Sequence, residues 1–176
     1  TNLNVPDSSG YLKDVVLGFN DFNNYYENNP YFGAIIGRYG NRISNGTFLL
    51  DGVRYELEQN HGTNSLHGGL VGFDKVFWKF IEEKSSNQSL YFEYYSKDME
   101  EGFPGNLVVG VEYILNDSNE LKIKYTASTD KKTIINLTQH SYFNLSGESS
   151  GDILDHILNI DAEYYLPVNE NMIPYG

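Results

Sequence analysis

Between Leu90 and Thr126 the chain writes the same pattern three times, with an apolar side chain at every second position. Leu107, Val109, Val111, Tyr113 and Leu115 form the longest stripe, with Glu112 on the opposite face. Leu121, Ile123 and Tyr125 alternate with Lys122, Lys124 and Thr126, and Leu90, Phe92 and Tyr94 make a third stripe. A period of two marks a strand with one buried face, because successive side chains leave the pleat on opposite sides. Turn chemistry separates such runs. Asp51-Gly52 stands between Thr47–Leu50 and Val53–Leu57, which predicts a two-residue hairpin with positive φ at both central residues. Asn116–Asn119 joins two alternating runs, and Gly102-Phe103-Pro104-Gly105 turns the chain before Leu107. Helical periodicity with caps is nearly absent. The expected architecture is an antiparallel all-β sandwich or barrel.

Composition narrows the function classes. A length of 176 residues suits a single domain, 1–176, and suffices for a real core. Fifteen Tyr and ten Phe favour pleated, half-buried surfaces over helix. A net charge of −12 lacks the basic footprint that nucleic acid or an anionic membrane requires, so neither is expected as a partner. No cysteine is present, which excludes disulfides, thiolate zinc sites and thiol nucleophiles. No apolar run approaches the roughly 18 residues of a membrane span, and Thr1–Gly10 lacks the layout of a secretion signal. A cytoplasmic location is the expectation. Asn20–Pro30 reads as a polar surface loop.

Four histidines are present, and two stand in distinctive surroundings. His67 follows Asn64-Ser65-Leu66 and precedes Gly68-Gly69, leaving little bulk to keep a ligand away. His140 lies within Asn136–Leu145 (NLTQHSYFNL), where Tyr142, Phe143 and Asn144 offer ring walls and an amide beside a proton donor. Each has a plain alternative: the glycines as a simple turn, and the aromatics as sandwich core. His61 and His67 lack metal-ligand spacing, and no metal site is expected. Gly37–Arg42 packs Arg38 and Arg42 with two glycines and Asn41 into six residues. Its spacing matches neither a phosphate loop nor a dinucleotide fingerprint. One arginine aimed inward can hold hydroxyl or ring oxygens with its rigid fork of donors; a solvated strand end is the competing reading.

The order of these segments adds what none supplies alone. DVVLGF (Asp14–Phe19), YFGAIIGRYGNRISNGTFLLDG (Tyr31–Gly52), NSLHGGLVGFDKVFW (Asn64–Trp78), EGFPGNL (Glu101–Leu107) and NLTQHSYFNL (Asn136–Leu145) resemble, in sequence order, the aldose 1-epimerase (galactose mutarotase) family. LPVNENMIPYG (Leu166–Gly176) resembles a later segment of that family.

The resemblance implies a large antiparallel β-sandwich, of which this chain is the N-terminal half or somewhat more. It implies an isomerase that interconverts the α and β anomers of aldohexoses such as glucose and galactose, with no cofactor. Arg42 matches the family's substrate-binding arginine and Asn41 its neighbouring asparagine. His67 matches a histidine that holds the sugar near the ring oxygen, and His140 the general acid. Family members often have Asn where this chain has Gln139. The family's general-base glutamate and binding aspartate are expected beyond Gly176, so none of Asp74, Glu101, Glu148 and Asp152 is taken as the base. Two other readings remain open: a non-catalytic carbohydrate-binding sandwich, and a relative acting on hexose phosphates.

Overall fold

The structure, a computed structural model, describes residues 2–26 and 30–175. It divides into two compact units, Ile35–Thr138 in one and Thr1–Ala34 with Gln139–Gly176 in the other. Twelve strands run through the described residues: β1 (Asn4–Pro6), β2 (Leu12–Asp14), β3 (Ile35–Ile36), β4 (Arg42–Ile43), β5 (Thr47–Leu50), β6 (Val53–Glu56), β7 (Ser65–Leu66), β8 (Lys79–Phe80), β9 (Ser89–Ser96), β10 (Leu107–Leu115), β11 (Leu121–Thr129) and β12 (Thr138–Gln139). The helical pieces among these residues are 3-10 turns of three or four residues, and no helix is long and apolar enough to cross a membrane.

The Ile35–Thr138 unit is organised by a four-stranded antiparallel sheet in the order β11-β10-β9-β8. Its register shows why the three stripes alternate in step. Val109 faces Tyr94 on one side and Ala127 on the other; Val111 lies between Phe92 and Tyr125, and Tyr113 between Leu90 and Ile123. The stripes therefore stack on one face. Leu107, Val109 and Val111 are almost fully buried there with Ile35 and Phe73, and Trp78, Tyr94, Ile123, Tyr125 and Leu137 pack around them. The opposite face carries Glu112, whose carboxylate pairs with Lys124 across the strands at 3.3 Å. The far ends of the stripes differ from expectation: Leu90, Leu115 and Leu121 are 49%, 48% and 38% exposed. Ile35 and Phe73 cover the sheet at its Leu107–Val111 end, so alternation alone overstates how far the core extends.

The three short-range turn predictions hold. β5 and β6 pair with Leu50 opposite Val53, leaving Asp51 and Gly52 as a two-residue loop with φ of 50° and 80°. Leu115 pairs with Leu121, and the side chain of Asn116 accepts from the backbone N–H groups of Ser118 and Glu120 at 3.0 Å each. Gly102–Gly105 turns the chain before β10 as expected. Phe103 within it is buried, and its ring stacks near Phe48.

In the other unit β1 and β2 form an antiparallel pair with Val5 opposite Lys13. Val16 bridges to Phe143, and the Leu17 N–H donates to the Tyr142 carbonyl at 3.0 Å. Within the predicted Asn20–Pro30 loop, Phe22–Tyr25 makes a 3-10 turn capped by Asp21, while residues 27–29 lie outside the described residues.

Candidate active site

β4 and β7 are two residues long, yet they place the candidate binding residues side by side. Arg42 pairs with Leu66 across these strands, which sets Asn41 and His67 next to each other where the strands end. Two reciprocal bonds join them. The His67 N–H donates to the Asn41 carbonyl at 3.0 Å, and the Asn41 N–H donates to His67 Nδ1 at 3.0 Å. A backbone N–H can only donate, so Nδ1 is bare, and a neutral imidazole then has its hydrogen on Nε2. Asn41 Oδ1 in turn accepts from an Arg42 terminal nitrogen at 3.0 Å. Arg42 Nε is buried and has no hydrogen-bond partner among the described residues. A buried, unpaired guanidinium donor is costly unless an acceptor meets it.

The two arginines of the Gly37–Arg42 segment have separate jobs. Arg38 is 2% exposed, and its five donors are all used within the protein. Nε donates to Ser96 Oγ at 2.8 Å. One terminal nitrogen donates to the carbonyls of Phe103 at 3.4 Å and Pro104 at 2.9 Å; the other donates to those of Ser96 at 3.2 Å and Lys97 at 2.8 Å. Burial pulls its pKa down, opposed first by the charge of Glu100. Glu100 accepts from the hydroxyls of Tyr94, at 2.7 Å, and Ser96. Burial and that carboxylate together push the Tyr94 phenol well above its ordinary value. Arg38 is thus a structural pin for the loop after β9, which leaves Arg42 as the arginine available to a ligand.

His140 lies in the other unit. Its N–H donates to the Ala34 carbonyl at 2.9 Å and its carbonyl accepts from the Gly33 N–H at 3.2 Å. Its ring is stacked against Tyr31, with centroids 5.3 Å apart, and tilted against Tyr142 at 5.0 Å. Tyr142 is held in turn by Phe32 and by a bond from its hydroxyl to the Pro30 carbonyl at 2.9 Å. The aromatic neighbour foreseen for His140 is therefore present. Asn144 serves a different end: it is 1% exposed, accepts from the Ser146 N–H and donates to the Gly151 carbonyl. Gln139 donates to the Gly33 carbonyl at 2.7 Å.

The structure thus gathers Asn41, Arg42 and His67 in one place and sets His140 between two tyrosines in the other unit. Two residues that sequence reasoning gave no such role also belong to the His67 neighbourhood. Asn60 bonds the turn around His67 three times, and Glu101 accepts from the Leu70 N–H at 2.7 Å. Glu101 has no local signal because it acts on a segment 31 residues away, and Asn60 stands outside the turn it holds. Among the described residues no group of three or more His, Asp or Glu is arranged to hold a metal ion.

An antiparallel all-β chain that presents an arginine donor beside a Nε2-protonated histidine is equipped to bind an oxygen-rich ligand. Its relatives are specific. The aldose 1-epimerase family profile matches residues 1–176, and the chain belongs to that family. It is 49% identical over 176 residues to the galactose mutarotases of Sus scrofa and Homo sapiens, covering all of this chain and 50% of each relative. Against the aldose 1-epimerase of Escherichia coli it is 42% identical over 171 residues, or 97% of this chain and 49% of that one. The solved structure of a GalM/aldose epimerase homologue from C. elegans superposes with a TM-score of 0.92 at 32% identity, over 99% of this chain and 53% of that one. Galactose 1-epimerase from Lactobacillus acidophilus gives 0.81 at 30% identity, over 93% and 48%. The fold is that of these β-sandwiches, and the chain spans about half the length of the curated relatives it matches.

Proposed function

We propose that the protein to which this chain belongs is an aldose 1-epimerase that interconverts the α and β anomers of free hexoses such as galactose and glucose. The observation that supports this most is the Asn41–Arg42–His67 assembly. It offers the terminal guanidinium nitrogens of Arg42, steered by Asn41 Oδ1, and an imidazole whose hydrogen is on Nε2. Both are donors suited to sugar hydroxyl and ring oxygens.

Mutarotation runs through the open-chain aldehyde. A base takes the proton of the anomeric hydroxyl while an acid protonates the ring oxygen. The ring C–O bond breaks, the aldehyde rotates, and closure occurs on the other face. On this reading His140 is the general acid, and its stacking on Tyr31 fixes the ring plane. Arg42 and His67 hold and polarise oxygens of the sugar, and Asn41 orients both. The base is a glutamate outside these 176 residues. Glu101, a carboxylate within the EGFPGNL segment, is committed to the Leu70 N–H. The location is cytoplasmic, and a net charge of −12 disfavours nucleic acid, anionic membranes and phosphorylated sugars alike.

Polarimetry tests this on the protein as its reading frame encodes it, starting from pure α-D-galactose, α-D-glucose and α-D-glucose 6-phosphate. Faster mutarotation of the free sugars supports the proposal. Saturable binding without acceleration points to a carbohydrate-binding module, and acceleration confined to the phosphate ester points to a hexose-phosphate epimerase.

A further inference from the structure

The turn Leu66–Leu70 presents His67 in an unfavourable backbone form. His67, Gly68 and Gly69 follow one another at φ of 55°, 96° and 110°. The left-handed region costs a non-glycine residue about 1–2 kcal/mol, so His67 keeps it only where its surroundings over-determine it. Two side chains that bond the backbone on either side of His67 supply that constraint. Asn60 Oδ1 accepts from the Leu66 N–H at 2.7 Å, while its Nδ2 donates to the carbonyls of Leu66 at 2.9 Å and Gly69 at 2.7 Å. The three backbone groups allow only this orientation of the amide. From the other side Glu101 Oε2 accepts from the Leu70 N–H at 2.7 Å. A Cβ on Gly69 would collide with that carboxylate, and one on Gly68 with the Gly37 carbonyl. The glycines after the histidine therefore admit the groups that grip the turn.

We propose that Asn60 and Glu101 are positioning residues for His67. They hold its imidazole with Nδ1 on the Asn41 N–H and Nε2–H presented to the sugar. This deepens the mutarotase reading and rests on it for the identity of the ligand, but not for the geometry. The two grips have different chemistry. At position 101 only an acceptor is required, so Glu101→Gln retains the bond. At position 60 two donors face two carbonyls, so the isosteric Asn60→Asp turns two attractions into repulsions.

The test is the pair of imidazole ¹⁵N shifts of His67 in the protein as its reading frame encodes it, with polarimetric kcat and KM alongside. The unaltered protein and Glu101→Gln are expected to give the widely separated shifts of a pure Nε2–H tautomer. Glu101→Ala and Asn60→Asp are expected to move both shifts toward an average, and to lower kcat about tenfold to a hundredfold at unchanged melting cooperativity. Folded Glu101→Ala and Asn60→Asp proteins with unaltered His67 shifts would overturn the proposal, as would a proton on Nδ1 in the unaltered protein. Should both variants fail to fold, hydrogen exchange of the Leu70 amide in the unaltered protein decides: protection supports the grip, and exchange at the rate of an open loop overturns it. Shifts that respond as expected in a protein without mutarotase activity would refute the functional reading and leave the positioning intact.

Discussion

Replacing Arg38 by Lys keeps the charge and removes the fork, which isolates what the fork does. Arg38 makes five bonds, four of them to carbonyls on two separate stretches, Ser96–Lys97 and Phe103–Pro104. An ammonium has three donors at one point, so at least two of the five acceptors lose their partner. The Lys97 backbone lies at an exposed residue and can return to water, whereas Ser96, Phe103 and Pro104 are buried. At about 1–3 kcal/mol for each buried acceptor left unmet, Arg38→Lys costs about 3 kcal/mol. Arg38→Met leaves all five acceptors unmet and removes the positive charge near Glu100, so it costs more than Arg38→Lys. The single tryptophan, Trp78, packs edge-on to Phe73 in the core of the same unit and reports its unfolding by fluorescence. With a urea dependence of about 2 kcal/mol per molar, the midpoint of Arg38→Lys falls by about 1.5 M. Arg42→Lys, by contrast, should shift the midpoint by under about 0.5 M while weakening sugar binding. A midpoint for Arg38→Lys within about 0.5 M of the unaltered protein would refute the assignment of Arg38 as the pin of the loop after β9.

Gly52→Ala has open space for its Cβ but a φ of 80°, so it should destabilise by about 1–2 kcal/mol through backbone strain alone, read in the same urea titration. Burial pushes the Tyr125 phenol up to about 12 from an ordinary 10.0, and Tyr94 is raised as well. Both fold as neutral phenols, so their contribution is complete below pH 10 and is lost as the pH rises further, through about 12 for Tyr125; urea midpoints measured from pH 10 upward should fall. Tyr125 Oη is buried and has no hydrogen-bond partner among the described residues, so Tyr125→Phe should be neutral or stabilising by up to about 1 kcal/mol at pH 7 and should flatten part of the alkaline decline.

What the sequence revealed follows the distance over which each feature is decided. The stripes of Leu107–Leu115 and Leu121–Thr126 and the Asp51-Gly52 hairpin depend on neighbours a few residues away, and the observed register reproduces them. The extent of the core was not legible: exposed Leu90, Leu115 and Leu121 continue the same alternation as buried Val109 and Val111. Nothing in their spacing says where Phe73 will lie. The two arginines of Gly37–Arg42 are alike as letters, and only the return of Ser96–Pro104 to Arg38 separates structural from available guanidinium. Asn144 illustrates the opposite error, a polar residue beside a candidate acid whose amide is spent on its own turn. Glu101 was silent because it acts on backbone 31 residues away, and Asn60 because an asparagine six residues before a turn is no turn signal in itself. The roles proposed for His67 and His140 rest on motif order, since a histidine's spacing alone distinguishes neither a ligand nor an acid.

If His140 delivers the proton to the ring oxygen during mutarotation, removing its imidazole must slow the reaction, and polarimetry of His140→Ala reads that change. With pure α-D-galactose and the protein as its reading frame encodes it, kcat is expected to fall about 10²–10⁴-fold, with saturable galactose binding retained through Arg42 and His67. A His140→Ala protein that accelerates mutarotation as fast as the unaltered one would contradict it.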